Sequence, residues 1–326
     1  MADVDEAQFE SANILRPRTL AEFVSQDDLR ANLSVMIKSA RTRDDVLEHI
    51  LLSGPPGTGK TSLAHIIATE MGGTVKTVHA PTISKPKDLI QSITQIRRGD
   101  VLFIDEIHRL PPAAEELLYP VMEDYRLQIM IGSETQARAV DIELPRFTVV
   151  AATTRKGMLS PPLYMRFGSD LVLSYYDVAS LARLVSAKAE VLDVALTPEA
   201  AEEIALRARG TPRIALQLLR RVRDFAVAAE AGAVSGAFAA EACLATGVDR
   251  RGLTAEDRAY LSTLRDRFRG RPAGLSTLAA MLSQDEETVE SAIEPFLLQL
   301  GLIERTPRGR CLTTTGFMAA QEALEL

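Results

Sequence analysis

The chain has 326 residues, of which 46% are hydrophobic and 25% are charged, and this balance is typical of a soluble globular protein with two or three domains. No apolar run approaches the ~20 residues that a membrane-spanning helix needs, and the acidic start is unlike a signal peptide, so we expect a cytoplasmic protein without a membrane segment. The net charge of −7 excludes a uniformly basic nucleic-acid coat but leaves room for a local basic face. Cys243 and Cys311 have apolar or small neighbours, which favours reduced thiols over a disulfide or a metal site.

The first motif along the chain is a glycine-rich loop between a predicted strand and a predicted helix. Its residues are Gly54, Pro55, Pro56, Gly57, Thr58, Gly59, Lys60 and Thr61. The apolar run Ile50–Leu52 before it is typical of a buried strand, and Ser62–Met71 after it is predicted as a helix. In such a loop, backbone N–H groups surround phosphate oxygens, Lys60 places a charge on the β- and γ-phosphates, and the Thr61 hydroxyl ligates Mg²⁺. A chance turn has no need of that lysine and threonine, so the loop predicts a nucleoside triphosphate site.

The second motif is a pair of acids that follows a strand. The apolar run Val101–Ile104 ends in Asp105 and Glu106. Because chemistry collects at the carboxyl ends of parallel strands, we expect these acids beside the phosphate loop. Asp105 is then a candidate for holding Mg²⁺ through water, and Glu106 is a candidate general base for the attacking water. The pair alone is also compatible with ordinary surface acids, and His108 close behind is interpreted as a packing or relay residue.

Helical patterns alternate with apolar strands from about Leu20 to Tyr176, which predicts a three-layer α/β nucleotide-binding domain with a parallel sheet between helices. The predicted strands are Ile50–Leu52, Thr74–Ala80, Val101–Asp105, Phe147–Thr154 and Leu171–Tyr176. Two strand-like stretches, Leu127–Ile131 and Val140–Leu144, surround a turn at Gly132, Ser133 and Glu134. This interruption predicts a β-hairpin inserted before the next core strand.

Beyond Tyr176 the periodicity is purely helical, and we expect an all-α lid over residues 177–248 after an ATPase domain at 20–176. The predicted lid helices are Val178–Leu192, Thr197–Arg209, Pro212–Ala231 and Ser235–Ala245. A third unit, residues 249–326, has predicted helices Ala255–Phe268, Leu275–Leu282 and Glu287–Leu300, then strands Leu302–Thr306 and Arg310–Thr315. Three helices and a hairpin predict a C-terminal winged helix, a common DNA-binding module. Its arginine clusters are compatible either with DNA or with solvated helix faces.

Three further side chains are candidates for the hydrolytic site. Thr154 closes a strand between the two motifs, where it would hold the attacking water against the γ-phosphate. Arg166 precedes the last predicted core strand, and a guanidinium delivered from there to a neighbour's ATP is worth about 10³–10⁵ in rate. Arg213 starts a lid helix and is a candidate to reach the γ-phosphate of its own subunit, which would couple the lid to the nucleotide state. The alternatives are a structural strand-end threonine and solvent-facing arginines.

A phosphate loop, a strand ending in Asp-Glu and a helical lid together are typical of AAA+ ATPases, which work as rings with ATP between subunits. Further motifs resemble the RuvB family, bacterial motors that drive branch migration of Holliday junctions, over nearly the whole chain. The residues that carry the resemblance are Leu15-Arg16-Pro17, Phe23, Gly54–Thr61, Asp105–Leu110, Leu118-Tyr119-Pro120, Met122–Tyr125, Ile129–Gly132, Ala152–Arg155, Arg209–Ala215, Leu219–Phe225 and Arg305–Arg310. The first of these motifs belong to AAA+ proteins generally, whereas the hairpin and C-terminal motifs are more specific.

The resemblance implies ATP or ADP with Mg²⁺ as cofactors, and it assigns roles to segments that spacing alone does not. Leu15, Arg16, Ser62 and Tyr176 would join the nucleotide pocket, with residues 1–19 contributing to it, although Tyr176 is also compatible with a plain core aromatic. On the hairpin, Ile129, Met130 and Ile131 would contact RuvA, unless the hairpin packs on its own domain. In the winged helix, Arg305, Arg308 and Arg310 would contact DNA phosphates without reading the sequence.

The implied partners are double-stranded DNA at Holliday junctions, RuvA, RuvC in a resolvase complex, and further copies of the chain in a ring predicted to be a hexamer. The implied setting is DNA recombination and repair, including the SOS response to damage. Two departures bear on this prediction: the family usually has arginine where this chain has Tyr164, and glycine where it has Ser25. The segment after Thr315 also lacks the family's usual closing pattern. None of these departures removes a hydrolytic residue, so we expect an active ATPase motor, and a divergent paralogue with an altered partner or regulation is one alternative. The others are a clamp-loader-type ATPase and a non-hydrolysing, ATP-gated DNA-binding scaffold.

Overall fold

The computed structural model describes residues 14–131 and 138–322. The chain divides into two compact units, the first comprising Met1–Val191 with Gly210–Leu216 and the second comprising Leu192–Arg209 with Gln217–Leu326. None of the helices formed by the described residues combines the length and the apolar character that crossing a bilayer requires.

The first unit alternates strands and helices, as the sequence predicts. Its strands are β1 (Ile50–Ser53), β2 (Val75–His79), β3 (Val101–Asp105), β4 (Arg126–Ile131), β5 (Arg138–Glu143), β6 (Thr148–Thr153) and β7 (Ser169–Val172). Its helices are α1 (Asp27–Thr42), α2 (Lys60–Glu70), α3 (Pro86–Ile93), α4 (Pro112–Glu123), α5 (Pro161–Tyr164) and α6 (Val178–Val191). Single 3₁₀ turns occupy Ala80–Thr82, Ile107–Arg109 and Lys156–Met158.

A parallel five-stranded sheet forms the centre of this unit, in the order β2-β3-β6-β1-β7. Successive residues of β1, β3 and β6 enter different apolar clusters: in β1, Leu51 belongs to one cluster, and Ile50 and Leu52 belong to the other. Strands β1 and β6 are buried along their whole length. Burial on both faces is what a parallel sheet between two helical layers requires. The predicted α/β class is therefore confirmed.

The strand predicted at Leu171–Tyr176 is wrong in its bounds, because β7 occupies Ser169–Val172. The prediction followed the apolar residues and omitted Ser169 and Asp170, which pair with Ile50 and Leu51 of β1. After Val172 the chain leaves the sheet, and the Tyr176 N–H donates to the Gly210 carbonyl at 2.8 Å.

The predicted β-hairpin is present as the antiparallel pair β4 and β5, in which Ile129 lies opposite Val140. Ile129 is partly buried against the apolar cluster of its own unit. The predicted turn at Gly132, Ser133 and Glu134 lies outside the described residues, as do the side chains of Met130 and Ile131.

The second unit is mainly helical and ends in a small hairpin. Its helices are α7 (Pro198–Arg207), α8 (Pro212–Ala228), whose first residues belong to the first unit, α9 (Gly236–Ala245), α10 (Ala255–Asp266), α11 (Leu275–Leu282), α12 (Glu286–Thr288), α13 (Glu294–Gln299) and α14 (Thr314–Glu322). A π-helical turn, Val289–Ile293, joins α12 to α13, and the antiparallel strands β8 (Ile303–Thr306) and β9 (Gly309–Leu312) form the hairpin. The bounds of the lid and of the winged helix stay a prediction.

The last predicted strand, Arg310–Thr315, is wrong beyond Leu312, because a helix that was not predicted from the sequence begins at Thr314. The Thr313 hydroxyl caps this helix by accepting the Gly316 N–H at 3.0 Å. A threonine before a helix satisfies one of the first N–H groups, which have no partner within the helix.

Folding of the first unit is expected to depend on pH through a buried histidine. The Val149 N–H donates to His49 Nδ1 at 3.0 Å, and His49 Nε2 lies 2.9 Å from the Met122 carbonyl, so the ring is neutral with its proton on Nε2. Burial holds the pKa of His49 below its ordinary value of 6.5. Below about pH 6.5 the unfolded chain therefore binds more protons at His49 than the folded chain does. The stability that the neutral, hydrogen-bonded ring contributes is lost as the pH falls.

The measurement is the free energy of unfolding of the wild type and of His49→Gln between pH 7.5 and pH 5.0, values that bracket the ordinary histidine pKa. The variant should be less stable at the upper pH, and the difference between the two proteins should shrink as the pH falls. Parallel pH curves would contradict this role of His49.

Candidate active site

The candidate catalytic residues follow the carboxyl ends of three neighbouring strands. In the register of the sheet, Ser53 at the end of β1 pairs with Thr153 at the end of β6. Ile104 of β3 pairs with Ala151 of β6 on the other side. The phosphate loop, the Asp-Glu pair and Thr154 come directly after these positions, so the sheet places the three sequence motifs along one edge.

Lys60 is buried inside the loop that precedes it. Its ammonium donates to the carbonyls of Gly54 and Pro55, each at 2.8 Å, and the residue is 7% exposed. Burial lowers the pKa of Lys60, while the negative charges of Glu106 and Asp105 act in the opposite direction. The ammonium is thus held by neutral carbonyls close to two carboxylates, where a triphosphate would give it stronger acceptors.

The glycines of the loop permit close contacts that a side chain would block. Gly54 has φ 141°, and a Cβ there would lie 2.2 Å from the Leu173 carbonyl oxygen. Gly57 has φ 77°, and a Cβ there would lie 3.2 Å from the Cβ of Arg213. The Arg213 N–H also lies 3.4 Å from the Gly57 carbonyl oxygen, so the first turn of α8 rests on the phosphate loop. The Arg213 side chain is exposed.

Glu106 takes part in a hydrogen-bonded cluster with two threonines and a histidine. The Thr154 hydroxyl donates to Glu106 Oε2 at 3.2 Å, and His108 Nδ1 lies 3.3 Å from the same oxygen. His108 Nδ1 is also 2.9 Å from the Thr153 hydroxyl. Glu106 itself has a left-handed backbone, with φ 52°, a conformation that concentrates at active sites in residues other than glycine. Side-chain contacts therefore fix the candidate base.

Asp105 and Thr61 are the residues predicted to hold Mg²⁺. Asp105 Oδ1 accepts the Glu106 N–H at 3.1 Å, and its Oδ2 lies 3.8 Å from His79 Nδ1. Thr61 lies in the first turn of α2 and is partly buried. A carboxylate and a hydroxyl are hard oxygen donors, which is the ligand type that Mg²⁺ prefers, so the donor set fits the ion.

The sequence prediction assigned no role to His79 or Thr153, and it left His108 without a defined contact. His79 ends β2 and pairs in register with Asp105 of β3. The signal for both residues was a polar side chain at the carboxyl end of a core strand, which the prediction used for Asp105, Glu106 and Thr154 but not for these two.

Of the predicted adenine-side residues, Tyr176 contacts the phosphate loop, and Arg16 contacts the helix that follows the loop. Tyr176 is 6% exposed, and its hydroxyl donates to the Thr58 carbonyl at 3.3 Å. Burial raises the pKa of Tyr176, so its phenol stays protonated. Leu15 is buried, and Arg16 is exposed with its NH1 atom 3.5 Å from His65 Nε2 on α2. Among the residues of the predicted pocket, Pro56 is exposed and Ser62 is partly buried.

Arg166 is held by residues outside the Glu106 cluster. Its guanidinium carbon lies 3.9 Å from the centroid of the Tyr119 ring. Its NH2 atom is 3.2 Å from Glu123 Oε1, and its NH1 atom donates to the Pro162 carbonyl at 2.6 Å. Arg166 Nε is buried without a hydrogen-bond partner among the described residues. These contacts do not join Arg166 to the phosphate loop of its own chain.

The three predicted DNA-contacting arginines have different surroundings. Arg310 donates through Nε to Glu294 Oε1 at 2.8 Å, and Arg305 donates through Nε to Glu294 Oε2 at 2.8 Å. Glu294 is fully buried, and Glu290 adds a second carboxylate 3.2 Å from Arg310. Arg308 at the hairpin turn is exposed, and no carboxylate of the described residues lies within 4.0 Å of its guanidinium. Thus Arg305 and Arg310 hold the hairpin to α13, and the described part of the chain offers Arg308 no carboxylate partner.

Comparisons with known proteins agree with this architecture. The family model for the P-loop domain of the Holliday junction DNA helicase RuvB matches residues 15–173. Models for the RuvB AAA lid domain and the RuvB C-terminal winged helix domain match residues 176–249 and 250–321. The chain belongs to the RuvB family. It is thus an AAA+ ATPase of the RuvB type, and ATP hydrolysis coupled to DNA translocation is the activity of this family.

Solved structures extend the likeness over almost the whole chain. The Thermotoga maritima RuvB Holliday junction branch migration motor is 41% identical, with a TM-score of 0.85, over 94% of this chain and 98% of that chain. A lysine-to-arginine variant of the same Thermotoga protein gives 42% identity and a TM-score of 0.86 over the same shares. The Aeropyrum pernix ORC2 protein is 16% identical, with a TM-score of 0.56 over 92% of each chain, and shares the fold alone. The predicted RuvB-family membership is therefore confirmed.

Proposed function

We propose that this chain is the ATP-driven motor of Holliday junction branch migration, working as a ring on duplex DNA. The observation that carries the proposal is the Glu106 carboxylate. Its Oε2 accepts the Thr154 hydroxyl at 3.2 Å, and it lies beside the buried ammonium of Lys60. A base, a polar side chain to hold water and a phosphate-binding cation are the groups that ATP hydrolysis needs. A scaffold that only binds nucleotide has no need of the base.

Each group of the site has a separate task in hydrolysis. Lys60 exchanges the carbonyls of Gly54 and Pro55 for the β- and γ-phosphate oxygens. Thr61 and Asp105 would hold Mg²⁺, and the ion would supply neutralisation of charge on those oxygens when bound. Glu106 takes a proton from the attacking water, while Thr154 holds that water in line with the γ-phosphate. Backbone N–H groups of the loop donate to the phosphate oxygens and stabilise their remaining negative charge.

The lid would report the nucleotide state through Arg213. Its backbone already lies against Gly57 of the phosphate loop, and its exposed side chain is available to a γ-phosphate. A guanidinium that binds ATP and not ADP gives the two nucleotide states different energies for the position of α8. Tyr176, Leu15 and Arg16 would enclose the base of the nucleotide.

We further propose a hexameric ring in the bacterial cytoplasm, in which Arg166 of one subunit completes the ATP site of the next. The contacts of Arg166 with Tyr119 and Glu123, away from its own phosphate loop, support action on a neighbour. The hairpin residues Ile129, Met130 and Ile131 would bind RuvA at the junction, and RuvC would join in a resolvase complex. Arg308 would contact DNA phosphates, and Arg305 and Arg310 would reach them only by releasing Glu290 and Glu294.

The test is branch migration of a synthetic four-way junction with and without RuvA. We expect the protein with RuvA to convert the junction to product duplexes in ATP and to release phosphate faster when the junction is added. A non-hydrolysable analogue and the Lys60→Ala variant should both give no product. If phosphate release is stimulated by a sliding-clamp protein and not by a junction, the result would instead favour a clamp loader.

A further inference from the structure

Asp170 on β7 accepts hydrogen bonds from side chains of three segments of the first unit. Asp170 Oδ1 accepts the Ser53 hydroxyl at 3.0 Å. Its Oδ2 accepts the Tyr164 hydroxyl at 3.3 Å and also the ammonium of Lys156. The same ammonium lies 4.9 Å from the centroid of the Tyr164 ring, so lysine, tyrosine and aspartate form one compact cluster. We call these four residues the Asp170 cluster.

The cluster is shielded enough for these contacts to be specific. The side chain of Asp170 is 18% exposed, and Ser53 is 4% exposed at the end of β1. Lys156 is the most open member, with 45% of its side chain exposed. The bond to Asp170 raises the pKa of Lys156, so its ammonium stays charged. A carboxylate with three donors on two oxygens restricts the position of every partner.

Each donor stands next to a residue of the proposed mechanism. Ser53 directly precedes Gly54, the first residue of the phosphate loop. Lys156 is two residues after Thr154, and Tyr164 is two residues before Arg166.

We propose that Asp170 is a positioning residue that sets the groups of two ATP sites at once. Through Tyr164 it fixes the segment that offers Arg166 to the neighbouring subunit. Through Ser53 and Lys156 it fixes the phosphate loop and the Thr154 segment of its own site. The role in the neighbour's site rests on the ring proposed above. Since a 1 Å displacement of a transition-state group costs up to about 10²-fold in rate, loss of a contact in this cluster lowers kcat.

The test begins with Tyr164→Phe, which removes only the hydroxyl. We expect kcat for ATP hydrolysis to fall by about 10-fold to 10²-fold, with KM for ATP and the melting temperature unchanged, because the lost contact acts on a group used only in the transition state. Lys156→Met, at a more exposed position, should also lower kcat. Lys156→Arg should keep kcat near the wild-type value, because it still offers a cation to Asp170. Asp170→Asn should lower kcat in the same way, and Asp45→Asn is its matched control, because Asp45 pairs with Arg146 at 3.2 Å outside this cluster.

Mixed assemblies separate a positioning role from general damage. Glu106→Gln subunits cannot hydrolyse ATP but carry an intact Tyr164 and Arg166, so adding them to Tyr164→Phe subunits should raise the rate per competent site. The same addition should not rescue Ser53→Ala, whose defect lies in its own phosphate loop. A wild-type kcat for Tyr164→Phe and Lys156→Met, or a Tyr164→Phe defect that mixing leaves unchanged, would overturn the proposal while the motor function stands. A wild-type protein without ATP hydrolysis would overturn both.

Discussion

Replacing Glu106 with glutamine is expected to abolish ATP turnover and to leave ATP binding and ring assembly intact. Glutamine has nearly the same shape, and its amide oxygen is able to accept the Thr154 hydroxyl that now lies 3.2 Å from Glu106 Oε2. The amide cannot take a proton from water, and loss of a general base costs about 10²–10⁴ in rate. The measurement is kcat for phosphate release beside the dissociation constant for ATP.

The control is Glu116→Gln, because Glu116 is an exposed glutamate on α4 in the same unit. It should hydrolyse ATP at the wild-type rate, which shows that the loss of one negative charge is not the cause. Turnover by Glu106→Gln at the rate of Glu116→Gln would remove Glu106 from the role of base. A large increase in the dissociation constant for ATP would instead assign Glu106 to binding.

Local sequence patterns predicted the strand-end motifs because each one depends on a short continuous segment. An apolar run such as Val101–Ile104 predicts a buried strand, and the polar residues that end it fall at the edge of the sheet without further information. The strand order then brings β1, β3 and β6 together, which explains why the phosphate loop, Glu106 and Thr154 meet. The sequence alone was therefore enough to place these candidate residues at one edge of the sheet, and their catalytic roles stay a prediction.

Contacts between segments that lie far apart in the sequence could not be predicted in the same way. Ser53 and Asp170 are 117 positions apart, and their hydrogen bond depends on the pairing of β1 with β7. The prediction omitted Asp170 from its strand, because a polar residue in a β-strand interrupts an apolar run. Register, which no local pattern reports here, decides which polar side chains meet.

In the winged helix, the sequence likewise could not show which arginines are paired with carboxylates. The sequence predicted Arg305, Arg308 and Arg310 as one basic group. In the structure, Glu294 lies fully buried between two of them and also accepts the Tyr260 hydroxyl at 3.0 Å. A buried carboxylate without such partners would be costly, so these two arginines are needed for folding of the hairpin before they are available to DNA. A count of arginines does not reveal this division.

Replacing Arg166 with alanine is expected to lower kcat for ATP hydrolysis by about 10³–10⁵-fold, because a guanidinium supplied to the γ-phosphate stabilises the charge of the transition state. ATP binding should change little, since the contribution is made in the transition state. Arg166 also pairs with Glu123 and stacks on Tyr119, so the folded state must be checked by its melting temperature. The measurement is single-turnover hydrolysis in the assembled protein.

Arg98→Ala serves as the control, since Arg98 is an exposed arginine of the same unit, paired with Asp44 at 3.2 Å. Its hydrolysis rate should match that of the wild type. The decisive step is to mix Arg166→Ala subunits with Lys60→Ala subunits, which have lost their own phosphate-binding lysine but retain Arg166. If the arginine acts on the neighbouring subunit, an Arg166→Ala site that faces a Lys60→Ala neighbour receives an intact guanidinium, and the mixture hydrolyses ATP faster than either variant alone. A mixture that stays as slow as its components would place Arg166 in its own subunit's site and remove the physical reason for a ring with shared ATP sites.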